Sequence, residues 1–348
     1  MSEKEHSMRA AELIAPLTFR LTDMPIEDPG PGEVQVRIEA VGVCGSDLHA
    51  FTEGAVGSTL NVYPMVLGHE PAGTIVKTGA GVTGLAAGDR GALEPALYCY
   101  HCESCLSGHH NVCANIRFLS NPHHPGFFRE LVNLPVANFL PIPTGMSFNE
   151  AALAEPLAIA MHSLRLASIR PGETVAVIGA GPIGLLTIAA LRAAQPGRIW
   201  AVEPLAHRRD LARGIGADAA IEPGEAAEEI LSGTLQRGVD CAIDCAAGEH
   251  TTSQAIQLSR SAGRVALTGI HSTPLVSMDG SAMRRKELTI FNVRRSNHET
   301  REALELLHAH AEWFRPLLTH TREIEHIDEA FAIASQYRDG VGKMIVRP

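Results

Sequence analysis

The sequence predicts an α/β protein made of a β-rich first part and a doubly wound parallel sheet. Three observations predict it. After about Glu155, short apolar β runs alternate with helix-like runs. A glycine-rich turn, Gly179-Ala180-Gly181-Pro182-Ile183-Gly184, joins the first of those β runs to the helix-like run that follows. Ahead of them, Pro and Gly recur, as in Pro29-Gly30-Pro31-Gly32 and Pro141 to Gly145, marking turns between short strands. With 348 residues, 45% of them hydrophobic, the chain has enough apolar material for two cores.

In chain order, residues 1–7 are polar and read as a loose extension, with a more structured segment from Met8. Gln35 to Val41 alternates like a half-buried strand. Thr174 to Ile178 is a short apolar β run, and Ile183 to Ala194 is an apolar helix-like run. Arg198 to Val202 reads as a strand and His207 to Ile215 as a helix. Val239 to Ile243 and Arg264 to Thr268 are two further strands. Strands alternating with helices imply parallel pairing through right-handed crossovers. A charged helix over Glu299 to His310 and a strand over Lys343 to Val346 close the chain.

The formal charge of −10 comes with no basic stripe, which argues against nucleic-acid binding. No apolar run is long enough to span a bilayer, and the amino terminus lacks a secretory apolar region, so a cytoplasmic protein without membrane contact is expected.

The glycine turn has the pattern G-x-G-x-x-G, and its place between a strand and a helix makes it a dinucleotide fingerprint. Gly179 makes the tight turn, Gly181 lets the backbone approach a pyrophosphate, and Gly184 lets helix and strand pack closely. Pro182 and Ile183 open the helix, whose free N–H groups and dipole favour phosphate. Glu203 ends the next strand, nineteen positions after Gly184. An acid there accepts hydrogen bonds from ribose hydroxyls and repels a 2′-phosphate, which favours NAD over NADP. Arg208 reads as a residue stacking on the adenine or its ribose, and Arg209 as part of a solvated helix face.

Of seven cysteines, Cys99, Cys102, Cys105 and Cys113 have the spacing C-x2-C-x2-C-x7-C. Four thiolates can build a closed tetrahedral zinc site that folds a loop with no core of its own. The first three spacings also suit an iron–sulfur run, although the last gap is longer and no proline follows Cys113; free thiols are the third reading. His101, His109 and His110 read as surface residues, as do His123 and His124, for which lining a cleft is the alternative reading. Cys241 and Cys245 read as buried small apolar residues.

Two more segments carry metal-type side chains: Gly42-Val43-Cys44-Gly45-Ser46-Asp47-Leu48-His49 and Leu67-Gly68-His69-Glu70. Together with the cysteine lobe and the later glycine fingerprint, in that order, they resemble the zinc-containing medium-chain dehydrogenases. The resemblance runs from about Met8 to Pro348. Ala154-Glu155-Pro156-Leu157 places it nearest the sorbitol, or polyol, dehydrogenase branch, which has a glutamate where classical alcohol dehydrogenases have a cysteine.

The resemblance implies a GroES-like, β-rich catalytic domain over 1–154 and 293–348, with a Rossmann NAD-binding domain over 155–292. It implies two zinc ions per subunit, one catalytic and one structural, and a small-molecule alcohol as substrate. It also implies a homodimer or homotetramer. Cys44, His69 and Glu155 match the catalytic zinc ligands, and Glu70 matches an acid that can serve as an alternate ligand. Ser46 and His49 match the relay that carries the alcohol proton towards solvent. Asp47 reads as a loop-stabilising carboxylate. Thr268, Gly269, Ile270, Val293 and Arg294 are carried over as cofactor contacts. An alcohol on a zinc ion with an open position loses its proton more easily, and its carbinol C–H can pass a hydride to nicotinamide.

Arg294, Arg295, Phe118 and Glu155 are carried over to the substrate side. The chain has Arg295 where polyol dehydrogenases usually have a tyrosine, and Ala50 where they tend to have an aromatic. A second arginine can grip a carboxylate bidentately. The expected reaction is therefore oxidation of a secondary alcohol of a polyol or sugar-derived substrate, with an aldonate or a threonine-type amino alcohol as alternatives.

Overall fold

The computed structural model describes residues 7–348. The extension expected over residues 1–7 falls outside them except for Ser7, which already opens a strand. Strand β1 (Ser7–Ala15) and β2 (Thr18–Pro25) form an antiparallel hairpin that no periodicity signal had marked. Next come β3 (Glu33–Gly42), helix α1 (Gly45–Glu53), β4 (Glu70–Thr78), β5 (Arg90–Leu93), β6 (Leu131–Pro135) and β7 (Phe139–Pro141). β3 pairs antiparallel with both β4 and β6, and Gly42 lies opposite Glu70.

Helix α2 (Ala154–Ala167) leads into a six-stranded parallel sheet. Its strands are β8 (Thr174–Ile178), β9 (Arg198–Val202), β10 (Ala219–Ile221), β11 (Val239–Asp244), β12 (Ser259–Leu267) and β13 (Thr289–Asn292). Their spatial order is β10-β9-β8-β11-β12-β13, every pairing parallel. The order reverses between β8 and β11, and in such sheets ligands bind at the carboxyl ends beside that reversal. Helices α3 (Pro182–Ala194), α4 (Ala206–Ile215) and α5 (Thr251–Leu258) are among the connections. β12 begins five residues earlier than its apolar run suggested, because Ser259 still pairs with Val239 across a register shift.

The chain then forms α6 (Thr300–Ala309), β14 (Leu318–Glu323), α7 (Ile327–Ser335) and β15 (Lys343–Arg347). β15 pairs with β3, which places Ile345 opposite Gly42 and completes a sheet of seven strands in the first part.

Packing divides the described residues into two units. The first runs up to Glu155 and includes Thr300–Ala309 and Leu318–Pro348; the second comprises Pro156–Glu299 and His310–Leu317. The carboxyl-terminal portion expected to belong wholly to the first unit is therefore shared. Segment 310–317 packs with the second, where the Arg192 guanidinium lies 4.1 Å from the Trp313 ring centroid. The first core gathers Phe19, Phe51, Phe128 and Phe331, with ring centroids 4.8–5.7 Å apart. Phe51 comes from α1, so this cluster anchors the helix that carries Ser46 and His49. In the second unit, β8, β9 and β11 are buried on both faces, with Trp200 at the centre. This explains their unbroken apolar runs. Among the described residues, no helix is long and apolar enough to cross a membrane.

Candidate functional site

Cys44 is the N-cap of α1, with extended backbone at φ −93°. Asp47, in the first turn, accepts a hydrogen bond from the Cys44 amide at 3.1 Å and one from the Gly68 amide at 3.2 Å. It also accepts one from the Ser120 hydroxyl at 3.3 Å and faces His69 Nδ1 at 3.3 Å. The 2% exposed Asp47 carboxylate thus ties together two segments far apart in sequence. Burial opposes its charge, but His69 and these donors outweigh that and hold its carboxyl below the usual range. A carboxylate on one ring nitrogen fixes the tautomer and leaves the other nitrogen for a ligand.

As a result Cys44, His69 and Glu70 present donor atoms within 4.8 Å of one another. Ser46 Oγ stands 3.4 Å from His69 Nε2, and the Phe118 ring packs on the His69 ring at 5.4 Å. Glu70 is fully buried and pairs with Lys343 of β15, whose Nζ also donates to the Val43 carbonyl at 2.9 Å. A Cβ at position 42 would lie 1.9 Å from Glu70 Oε2 and 2.9 Å from Lys343 Cε, so glycine there leaves room for the pair as it stands. The sequence reading placed Lys343 at the start of the final strand but gave it no part in the site; the available signal was a lysine ahead of the apolar run Met344 to Val346.

Glu155 does not join this set. It sits in the first turn of α2, and burial, with Glu70 nearby, pushes its carboxyl up to about 8. Glu70 is held beside Cys44 and His69 by the β3–β4 ladder, and Glu155 lies close enough for His69 and Glu70 to act on its charge. Glu70 Oε1 and Glu155 Oε2 are buried acceptors without a hydrogen bond. Although burial works against it, Asp47 and Cys44 drive the His69 imidazole strongly towards its cationic form. A buried thiol, imidazole and carboxylate that together attract positive charge fit a divalent cation with mixed S, N and O donors.

His49 lies one helical turn beyond Ser46 on α1, and its Nδ1 hydrogen-bonds Glu53 Oε1 at 2.7 Å. Glu53 is a second residue that sequence reading missed, although its i,i+4 spacing from His49 was visible.

The four lobe cysteines also converge, with all four sulfurs within 4.8 Å of one another. Cys113 lies 3.4 Å from Cys99, while the Cys99–Cys105 and Cys102–Cys113 separations are both 3.9 Å. A tetrahedron with bonds of about 2.3 Å spaces its sulfurs by about 3.8 Å. The backbone amide of His101 is foremost in drawing the Cys99 thiol down to about 5, whereas burial and neighbouring thiols push Cys105 up to about 12. His101 and His109 are exposed, as expected; His110 is instead half-buried against the rings of Tyr98 and Tyr100. His123 is exposed and His124 partly so. Burial pushes both Cys241 and Cys245 up to about 12, in keeping with an apolar role.

In the second unit the glycine turn adopts the geometry its pattern requires. Gly179 has φ +87°, and a Cβ on Gly184 would meet the Gly179 carbonyl oxygen at 1.8 Å. A Cβ on Gly181 would have only Arg208 Nη1 nearby, at 3.7 Å, so the turn is open beneath a guanidinium. Glu203 accepts from the Ala180 amide at 2.7 Å and the Leu205 amide at 3.0 Å. Arg209 is not a solvated residue: it donates to the carbonyls of Glu203 and Pro204 and pairs with Glu222. Thr268 shares a 2.7 Å hydrogen bond with Ser163, and the Gly269 amide bonds the Asp244 carbonyl. The Asp244 carboxylate, unmarked in the sequence reading, accepts from the Ala246 and Ala247 amides and from two threonine hydroxyls, which orders the loop after β11. Ile270 is exposed; Val293, half-buried, bonds the Leu267 carbonyl at the end of β13. Arg294 is exposed, and Arg295 is half-buried with φ +52°.

Family models agree with this geometry. The alcohol dehydrogenase GroES-like domain matches residues 30–144, and the zinc-binding dehydrogenase model matches residues 182–309. A sorbitol dehydrogenase of Bacillus subtilis is 32% identical, with 98% of each chain covered. An L-idonate 5-dehydrogenase of Vitis vinifera is 33% identical, over 97% of this chain and 94% of its own. The fold is similar to that of an Escherichia coli CFT073 structure described as a short chain alcohol dehydrogenase complexed with NADH. There the TM-score is 0.90 at 28% identity, covering 99% of this chain and 100% of the other. It is similar also to that of a candidate zinc-binding dehydrogenase from Sinorhizobium meliloti 1021 bound to NADP. That pair has a TM-score of 0.89 at 30% identity, over 98% and 99% of the two chains. The chain belongs to the zinc-containing medium-chain dehydrogenases, in their sorbitol and polyol branch.

Proposed function

We propose that the chain uses Cys44, His69 and Glu70 to hold a catalytic zinc ion and NAD to oxidise a secondary alcohol of a polyol or sugar-derived substrate. The enzyme class follows from the family: an oxidoreductase acting on CH–OH donors with a nicotinamide dinucleotide. The observation that carries the proposal is the buried thiol–imidazole–carboxylate cluster beside Ser46. When bound, the zinc supplies Lewis acidity that makes an alcohol easier to deprotonate, and the nicotinamide accepts the hydride. Ser46 Oγ would accept the hydroxyl proton and release its own into a relay that ends at His49 Nε2, with the cofactor ribose, when bound, lying between them and Glu53 holding His49 Nδ1. Glu155, buried and close in charge to His69 and Glu70, stands as a further acidic neighbour of the metal.

The NAD preference is supported by the buried Glu203, which places negative charge where a 2′-phosphate would lie. Arg209 is committed to carbonyls and Glu222, which leaves Arg208, over Gly181, as the cation nearest the pyrophosphate turn. Gly179, Pro182, Ile183, Thr268, Gly269, Ile270 and Val293 complete the cofactor contacts. Zinc at both clusters, two ions per subunit, and assembly as a homo-oligomer belong to the same reading.

Arg294 and Arg295 favour a second reading of the substrate, a sugar acid whose carboxylate they grip. That reading is supported by the similarity to an L-idonate 5-dehydrogenase. NAD and NADP reduction across D-sorbitol, xylitol, L-idonate, D-gluconate and L-threonine, with zinc measured on the same sample, tests the proposal. Oxidation of polyols or aldonates with NAD is expected. A preference for threonine, or wild-type turnover in a zinc-checked Cys44→Ser variant, overturns it.

A further inference from the structure

Segment 293–299 leaves the carboxyl end of β13, the edge strand of the parallel sheet, and carries both arginines of the substrate reading. Those arginines do not sit on a regular element. Arg295 and His298 have φ values of +52° and +75°, a region that non-glycine residues rarely adopt. Such a backbone persists only when its surroundings impose it.

A buried glutamate outside both metal clusters ties this segment to α2. Glu299 is 1% exposed, and its Oε1 accepts from His162 Nδ1 of α2 at 2.9 Å. Arg165, one turn further along α2, brings its half-exposed guanidinium to 3.4 Å from the same oxygen. The other oxygen, Oε2, turns back and accepts the Asn297 amide. One carboxylate therefore pins the loop backbone with one oxygen and anchors it to a helix with the other. Between these points Ser296 is 2% exposed, so the segment is seated as well as tied. Burial opposes the charge, but the His162 hydrogen bond and the Asn297 amide outweigh it and keep the carboxyl below the usual glutamate range. No role in the chemistry described above accounts for the buried Glu299–His162 contact.

We propose that Glu299 is a positioning residue for substrate recognition, holding Arg294 and Arg295 in a fixed presentation through its pairing with His162 and the Asn297 amide. The proposal rests on the reading that these arginines contact substrate. Ordering both guanidinium groups before the substrate arrives lowers the conformational cost of binding, so loss of the pin weakens substrate binding and leaves the chemical step intact.

The test uses full-length, zinc-loaded enzyme with saturating NAD, and D-sorbitol and L-idonate as substrates. Glu299→Gln keeps the shape and removes the charge. It is expected to raise the KM for the better substrate about tenfold, with kcat at saturating NAD within about twofold of the parent, on the pattern of lost ground-state positioning. Hydrogen exchange gives a readout independent of turnover: the Asn297 amide, protected in the parent, becomes rapidly exchanging. His162→Ala reproduces both effects. His162→Asn, which restores an N–H donor near the place of Nδ1, recovers most of the KM, and this variant pair also serves should Glu299→Gln not fold.

In an Arg294→Ala/Arg295→Ala background, Glu299→Gln adds nothing further. A parent KM in Glu299→Gln overturns the proposal, as does an unchanged tenfold effect in the arginine-free background. If the arginine-free variant itself keeps the parent KM, the substrate reading of the arginines fails and takes the proposal with it. An impaired arginine-free variant beside an unimpaired Glu299→Gln defeats the proposal alone.

Discussion

Lys343 and Glu70 form a pair of opposite charges 1% and 0% exposed in their side chains, and Glu70 belongs to the proposed metal ligand set. Lys343→Met roughly preserves the volume of the lysine stem and removes the charge. Glu70 then loses the ammonium paired with it in the core, and the Val43 carbonyl loses its 2.9 Å donor. Removing one partner of a buried pair costs about 3–5 kcal/mol, whereas replacing both partners costs little. At about 2–4 °C per kcal/mol for a unit of this size, the melting temperature of the zinc-free protein should fall by roughly 6–20 °C. The double variant Glu70→Gln/Lys343→Met should regain at least half of that loss. Thermal unfolding followed by circular dichroism at pH 7, after zinc has been chelated, measures both. A Lys343→Met protein melting within about 2 °C of the parent would refute the argument, since the buried carboxylate would then not depend on the lysine.

Three further outcomes are expected. Asp240 accepts from the Thr174 amide and hydroxyl at 2.8 Å and from Arg260 at 2.6 Å. These outweigh its burial and lower its carboxyl to about 2. A lowered carboxylate stabilises the fold above its unfolded value, and that stability is lost as pH falls through the folded one. Asp240→Asn should thus cost about 2 kcal/mol at neutral pH. The gap from the parent should close between about pH 4 and pH 2 in denaturant titrations, and a gap that persists to the acid limit would speak against it. Cys113→Ser should reduce bound zinc by one ion per chain and open segment 99–113 to proteolysis; full zinc content with an intact lobe would exclude the tetrathiolate reading. Glu203→Ala removes an acceptor held by two amides. It should raise the KM for NAD about tenfold, equivalent to about 1.4 kcal/mol, while rates with NADP fall less. Equal losses with the two cofactors would count against ribose recognition by this acid.

The sequence by itself determined whatever is local and periodic. β8 and β9 lie at the bounds their apolar runs marked, and the glycine turn between β8 and α3 has the conformation its spacing demands. Four cysteines within fifteen positions could only meet through a short loop, so their cluster was legible as well. Resemblance supplied Cys44 and His69, which no local rule could pair across twenty-five residues.

Tertiary structure decided the rest, because those contacts arise from strand register and chain return. Glu70 stands in the ligand set because β4 aligns it with Gly42, which has no side chain to exclude it. Its counter-ion, Lys343, lies at the far end of the chain and reaches it only because β15 pairs with β3. Asp47 becomes the bracket between the two segments only once Gly68 and Ser120 fold onto it. Glu299 meets His162 across 137 positions. Helical and strand periods act over a few residues, whereas these buried charges find their partners only when separate elements pack, and no spacing along the chain encodes that meeting.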